Sequence, residues 1–110
     1  MQLTGTDAML ELRPNCEHCN RPLPPNAMEA RICSFECTFC AHCVVTVLFN
    51  VCPNCGGGFT PRPIRPAKNW RGDNCLEHYP PSTRAKHIPV DGLEHAAFAV
   101  AIKSIPPQDR

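Results

Sequence analysis

No stretch of this chain approaches the roughly 18 consecutive apolar residues of a membrane-spanning helix, so none is expected. Met1 to Leu12 lacks both the basic head and the apolar run of a signal peptide, which points to the cytoplasm. Three chemical signatures are also missing: a nucleophile elbow, a phosphate-cradling loop and a carboxylate pair with a plausible pocket. Gly56 to Gly58 alone does not make a phosphate loop. No enzymatic activity is therefore expected. Nor is there enough chain for a large core. The 110 residues suit one small domain with tails, and a packable part of roughly 45 residues is marginal without a metal or disulfide staple.

What the chain has is cysteine. Eight of its nine cysteines lie between Cys16 and Cys55, in four close pairs: Cys16 and Cys19, Cys33 and Cys37, Cys40 and Cys43, Cys52 and Cys55. Eight thiolates in such pairs supply two complete tetrahedral four-cysteine zinc sites, and a C-x2-C turn lets both sulfurs converge on one ion. Two zinc ions per chain are expected. Four disulfides would use the same eight cysteines, but C-x2-C recurs three times and a cytoplasmic protein keeps its thiols reduced. An iron–sulfur cluster would suit the two-residue gaps of Cys37, Cys40 and Cys43, yet it would leave the flanking pairs without partners.

The formal charge is +1 with cysteines counted neutral. Two zinc ions on eight thiolates would make it about −3. Residues 1–55 carry more acidic than basic side chains, whereas 56–72 carry Arg62, Arg65, Lys68 and Arg71 with no acidic residue.

Taken in order, residues 1–8 read as a disordered leader, and Leu10 and Leu12 as a short strand. Asn15 and Asn20 bracket the first ligand pair, where Asn tolerates tight backbone. Arg21 to Asn26 is a proline-rich loop. Residues 30–35 read as a strand with Ile32 inward, in a hairpin with the residues around Phe39. Val44 to Phe49 is β-branched, which favours strand, but its place between two ligand pairs predicts a short helix that turns Val44, Val47 and Leu48 over the sites. Residues 61–90 read as a Pro-rich basic arm, extended and unpacked. Asp91 to Glu94 resembles a capping box that opens a short helix over 91–105, with Phe98, Ala101, Ile102 and Ile105 on one face. A helix so short needs something to dock on. Residues 106–110 form a tail.

Two pairings of the ligands fit the spacing. In an interleaved cross-brace, Cys16, Cys19, Cys40 and Cys43 hold one zinc, and Cys33, Cys37, Cys52 and Cys55 the other. In a sequential arrangement, the first four and the last four cysteines form consecutive sites. All eight positions, Phe39 before Cys40, the apolar run after Cys43 and Cys52-Pro-Asn-Cys55 resemble the RING finger. LIM domains share similar spacing with sequential pairing. Ile32 to Cys40 followed by Cys52 to Gly57 also resembles a short bacterial family of unknown function, number twelve seventy-two, over Leu10 to about Pro66. The resemblances imply a small metal-stabilised α+β fold, RING-like or treble-clef, over 9–60, and favour the cross-brace.

The expected function is a non-catalytic zinc protein that binds a protein partner through Val44 to Phe49, the knuckle tips and the arm. The alternative is nucleic-acid binding by Arg62, Arg65, Lys68 and Arg71, with Trp70 to stack a base. RING-type ubiquitin transfer is disfavoured by Glu17 and His18 inside the first knuckle and by Gly56 after the last cysteine. A thiol redox or zinc-sensing role would need a pair not locked by metal. His18 and His42 are expected outside the ligand sets, because the eight cysteines already fill both. Cys75 and His78 make half of a third site at most, and Cys75 is expected to be a free thiol.

Overall fold

The computed structural model describes residues 9–110; the leader expected over 1–8 lies outside these described residues. Strand β1 (Ala30–Ile32) pairs antiparallel with β2 (Thr38–Cys40), with Arg31 opposite Phe39, and with β3 (Thr60–Pro61) on its other side. The sheet order is β2-β1-β3. Glu36, with φ of 68°, turns the β1–β2 hairpin, and Cys33 N–H donates to the Cys37 carbonyl at 3.1 Å. The inward residue of β1 is Ala30, fully buried; Ile32 is only half-buried, which corrects the expectation for it. Pro61 is tolerated because β3 is an edge strand, where its missing N–H leaves no ladder bond unmade.

Helix α1 (Ala41–Cys43) starts at the end of β2 and runs on as a π-helical turn over Val44–Leu48. The wider turn suits the sequence: Val44, Val45, Thr46 and Val47 are β-branched and crowd a regular α-helix. The Thr46 hydroxyl also donates to the His42 carbonyl at 2.8 Å, which competes with the regular ladder. Two successive left-handed residues, Phe49 and Asn50, end the turn. As expected, Val44 and Leu48 are buried and Val47 packs against the core, while Val45 stays 70% exposed. Phe39, Leu23, Leu48 and six of the cysteines form that core, and Phe59 meets Phe39 edge-on at 5.5 Å. Burying a side chain such as Leu48 contributes about 2 kcal/mol. With strands this short, such a core leaves most of the stability to come from elsewhere.

Three further expectations are corrected. Leu10 and Leu12 form no strand; Leu12 is buried, and its carbonyl accepts from Ser82 N–H at 2.9 Å. Residues 61–90 are not an unpacked arm. Pro61 belongs to the sheet, Arg62 is buried, and residues 86–90 return across the first knuckle. The last helix, α2 (Gly92–Ala99), is shorter than the span 91–105. Asp91 caps it by accepting from Leu93 and Glu94 N–H, both at 3.0 Å. Its buried residues are His95 and Ala99, four apart, whereas Phe98 is 46% exposed. The helix docks on the π turn, where His95 Nε2 lies 2.9 Å from the Leu48 carbonyl. A side chain with no readable role in sequence thus supplies the polar contact of that interface.

Candidate metal centre

The hairpin and α1 bring distant cysteines together. The sulfurs of Cys16, Cys19, Cys40 and Cys43 all lie within 4.8 Å of one another. Cys40 ends β2 and Cys43 ends α1, so two of these four stand on regular elements, and only Cys19 is exposed. Cys16 and Cys19 come from a knuckle closed by Cys16 N–H to the Arg21 carbonyl and Asn20 N–H to the Cys16 carbonyl, both 2.9 Å. Asn20 is left-handed there, with φ of 66°, in keeping with Asn's tolerance of tight backbone.

The second group holds Cys33, Cys37 and Cys52, again with sulfurs within 4.8 Å. Cys33 follows β1 and Cys37 precedes β2, so both sit on the hairpin turn. Cys55, expected as the fourth ligand, falls outside that group and is exposed at the rim. Its knuckle is formed nonetheless: Cys52 N–H donates to the Gly57 carbonyl and Gly56 N–H to the Cys52 carbonyl, both 2.8 Å, with Gly56 at φ +78°. The pairing is interleaved, since Cys16 and Cys19 meet Cys40 and Cys43 while Cys33 and Cys37 meet Cys52. The sequential alternative is therefore overturned.

The donor chemistry fits zinc. Sulfurs bound at about 2.3 Å in a tetrahedron stand about 3.8 Å apart, and Cys19 Sγ and Cys40 Sγ are separated by 3.8 Å. Amide groups point at the sulfurs, as suits thiolates: Cys19 N–H to Cys16 (3.5 Å), Phe35 N–H to Cys33 (3.3 Å), Asn54 N–H to Cys52 (3.4 Å) and Asn54 Nδ2 to Cys37 (3.3 Å). All nine cysteines are free thiols. Burial pushes Cys43, Cys52 and Cys33 above the ordinary thiol range, with neighbouring sulfurs adding to the effect. Thiols in such surroundings need a cation to become thiolates, so ion uptake would release protons.

Glu17 and His18, unusual inside a RING-like knuckle, have local work. Glu17 is buried; its Oε2 accepts from Thr38 N–H at 2.7 Å and from Arg13 at 2.8 Å, and Lys86 stands 3.8 Å from Oε1. A buried carboxylate is tolerable only with partners of this kind. His18 Nδ1 accepts from Val90 N–H at 2.9 Å, Ile88 N–H donates to the Glu17 carbonyl at 2.9 Å, and Asn15 Nδ2 donates to the Lys86 carbonyl at 3.0 Å. Residues 86–90 thus lie across the first knuckle. The second is covered by the chain's end: Arg110 donates to the carbonyls of Asn50 (2.7 Å) and Gly56 (3.1 Å). His42 is exposed and outside both groups.

The basic residues do not form one surface. The Arg62 guanidinium is buried against the carbonyls of Arg13, Leu23 and Pro24 at 2.8–3.1 Å, and burial lowers its pKa. Arg65 donates to the carbonyls of Leu10 and Tyr79. Lys68, Trp70 and Arg71 are exposed, and Trp70 does not fold back onto the metal centre. Alternating Pro and Arg gave no sign that the first arginine would be internal.

A three-stranded antiparallel sheet, short helices and interleaved cysteine groups define a small α+β protein with sites positioned for zinc. Residues 9–65 match the family model for protein of unknown function DUF1272, and the chain belongs to that family. An uncharacterized protein of Rhizobium meliloti (strain 1021) is 56% identical over 75 residues, covering 68% of this chain and 82% of that relative. No solved structure matches. Among the described residues, no helix is long and apolar enough to cross a membrane.

Proposed function

We propose that the protein is a non-catalytic cytoplasmic zinc protein with two structural ions, and that its task is to bind another protein. The carrying observation is the first cysteine group: four sulfurs within 4.8 Å, three of them buried. Four thiolates close a tetrahedral site, leave no position for water, and supply folding energy in place of Lewis-acid chemistry. In this reading Cys55 completes the second site. The partner surface is narrower than the sequence suggests, because the chain's own segments 86–90 and 107–110 lie on the knuckles. The apolar side chains left outside include Phe35, at 71% exposure, and Val45.

Two features support this over the alternatives. Internal use of Arg62 and Arg65 leaves two cations of the basic segment, Lys68 and Arg71, for nucleic acid, too few for strong counterion release. Glu17 and His18 serve the intramolecular cover of the first knuckle, and fold resemblance alone does not carry ubiquitin transfer. Native mass spectrometry of the reduced protein before and after chelation tests the reading. Two zinc ions, with loss of cooperative unfolding on chelation, are expected; a single zinc, or iron, overturns it. A steep salt dependence of RNA or DNA binding would favour the nucleic-acid alternative instead.

A further inference from the structure

Outside the two cysteine groups, a second kind of donor cluster stands at 75–78. The ninth cysteine, Cys75, is buried, and its sulfur, a Glu77 carboxylate oxygen and a His78 ring nitrogen all lie within 4.8 Å of one another. In sequence, Cys75 and His78 form half a site; the structure adds the third donor. The backbone holds these side chains in a tight turn. Gly72 and Asp73 are both left-handed, at φ of 62° and 64°, and reverse the chain just before Cys75. His78 and Tyr79 N–H then donate to the Cys75 carbonyl at 3.2 and 2.9 Å, as in a helical turn, which sets Cys75 and His78 on one side. Leu76 N–H ties the turn to the Pro66 carbonyl at 2.9 Å.

A carboxylate held by its own neighbour stands near the histidine. Asp73 Oδ1 stands 3.6 Å from His78 Nε2, and Asp73 is itself fixed by Asn69, whose Nδ2 donates to the same oxygen at 2.8 Å. At that separation the carboxylate lies beyond hydrogen-bond reach and places negative charge beside the ring without fixing it. His78 also lines a groove of about 440 Å³ together with Glu11, Glu36, Arg65 and Tyr79.

We propose that Cys75, Glu77 and His78 bind a third, exchangeable divalent ion of borderline softness, of the Zn2+ or Co2+ class. One thiolate, one carboxylate and one imidazole select such metals over Mg2+ or Ca2+. Three protein donors leave a tetrahedral ion one open position, which the closed cysteine sites do not have. Glu77 and His78 are exposed, so the ion exchanges with solvent and the site fills only at higher metal concentration.

The proposal is independent of how many ions the cysteine groups hold, because its test counts uptake above the starting load. Zn2+ is added in steps to the 110-residue chain as purified with metal, and bound ions are counted by native mass spectrometry. One further equivalent is expected. His78→Asn and Glu77→Gln alter exposed side chains and spare the fold, and each weakens that uptake by about tenfold or more. With Co2+ as the added ion, a sulfur-to-metal charge-transfer band is expected, and Cys75→Ser removes it. Absence of an extra equivalent at about millimolar Zn2+, or an extra ion retained with unchanged affinity in His78→Asn, overturns the proposal.

Discussion

The two cysteine groups differ in what carries them. The first has Cys40 and Cys43 at the ends of β2 and α1, and its knuckle is locked from inside by Glu17. The second sits on the hairpin turn and a glycine-rich knuckle, with three sulfurs gathered and Cys55 at the rim. Ligands on regular elements are held by the backbone ladder before any ion arrives. Among the sulfurs on turns, three gather and the fourth, Cys55, stands apart. The first group is thus gathered mainly by regular elements, and the second by turns.

The largest expected effect tests the first half of that contrast. Cys40→Ser removes a buried ligand at the junction of sheet and helix, and loss of the zinc-dependent fold is expected, read as loss of cooperative thermal unfolding. The next compares the two knuckle cysteines of the second site. Cys52→Ser should release its zinc to a chelator, whereas Cys55→Ser, at the exposed rim, should weaken that site and leave the first intact. Equal effects, followed by metal count, would erase the difference. Glu17→Ala leaves Thr38 N–H without its acceptor and Arg13 without its buried partner, at a cost of about 3 kcal/mol in chemical denaturation. Trp70→Ala, at a side chain 77% exposed, should change stability by less than about 0.5 kcal/mol.

The smallest effect concerns pH. The Ser82 hydroxyl, donating to Glu11 at 2.8 Å, holds that carboxyl below its usual range, with Arg13 and Arg84 adding to it. A depressed native pKa stabilises the fold above the unfolded value of about 4 and loses that contribution as pH falls through the native value. Faster amide exchange at Ser82 is expected in that acid window, and a rate unchanged there would show that the contact contributes nothing.

Some of this was legible because it is local. Cysteine spacing pointed to the sulfurs that gather, Cys55 apart, since a C-x2-C turn keeps its two cysteines close in the chain. The hairpin, the helix after Cys43 and the Asp91 cap also follow from neighbours in the chain. The knuckle cover did not, because contacts such as Val90 to His18 join residues 72 apart and leave no period in the sequence. Arg62 misled for a related reason: a guanidinium flanked by prolines reads as solvated until three carbonyls from two distant loops surround it.

The sequence by itself determined that closely spaced cysteine pairs would gather at the centre of this protein, because covalent spacing limits which sulfurs can approach one another. Tertiary structure alone decided that the pairs interleave, that Cys55 stays at the rim, and that Glu77 joins Cys75 and His78. Those outcomes depend on where the hairpin, the knuckles and the returning chain come to rest, and burial and long-range hydrogen bonds settle that only once the whole chain has closed.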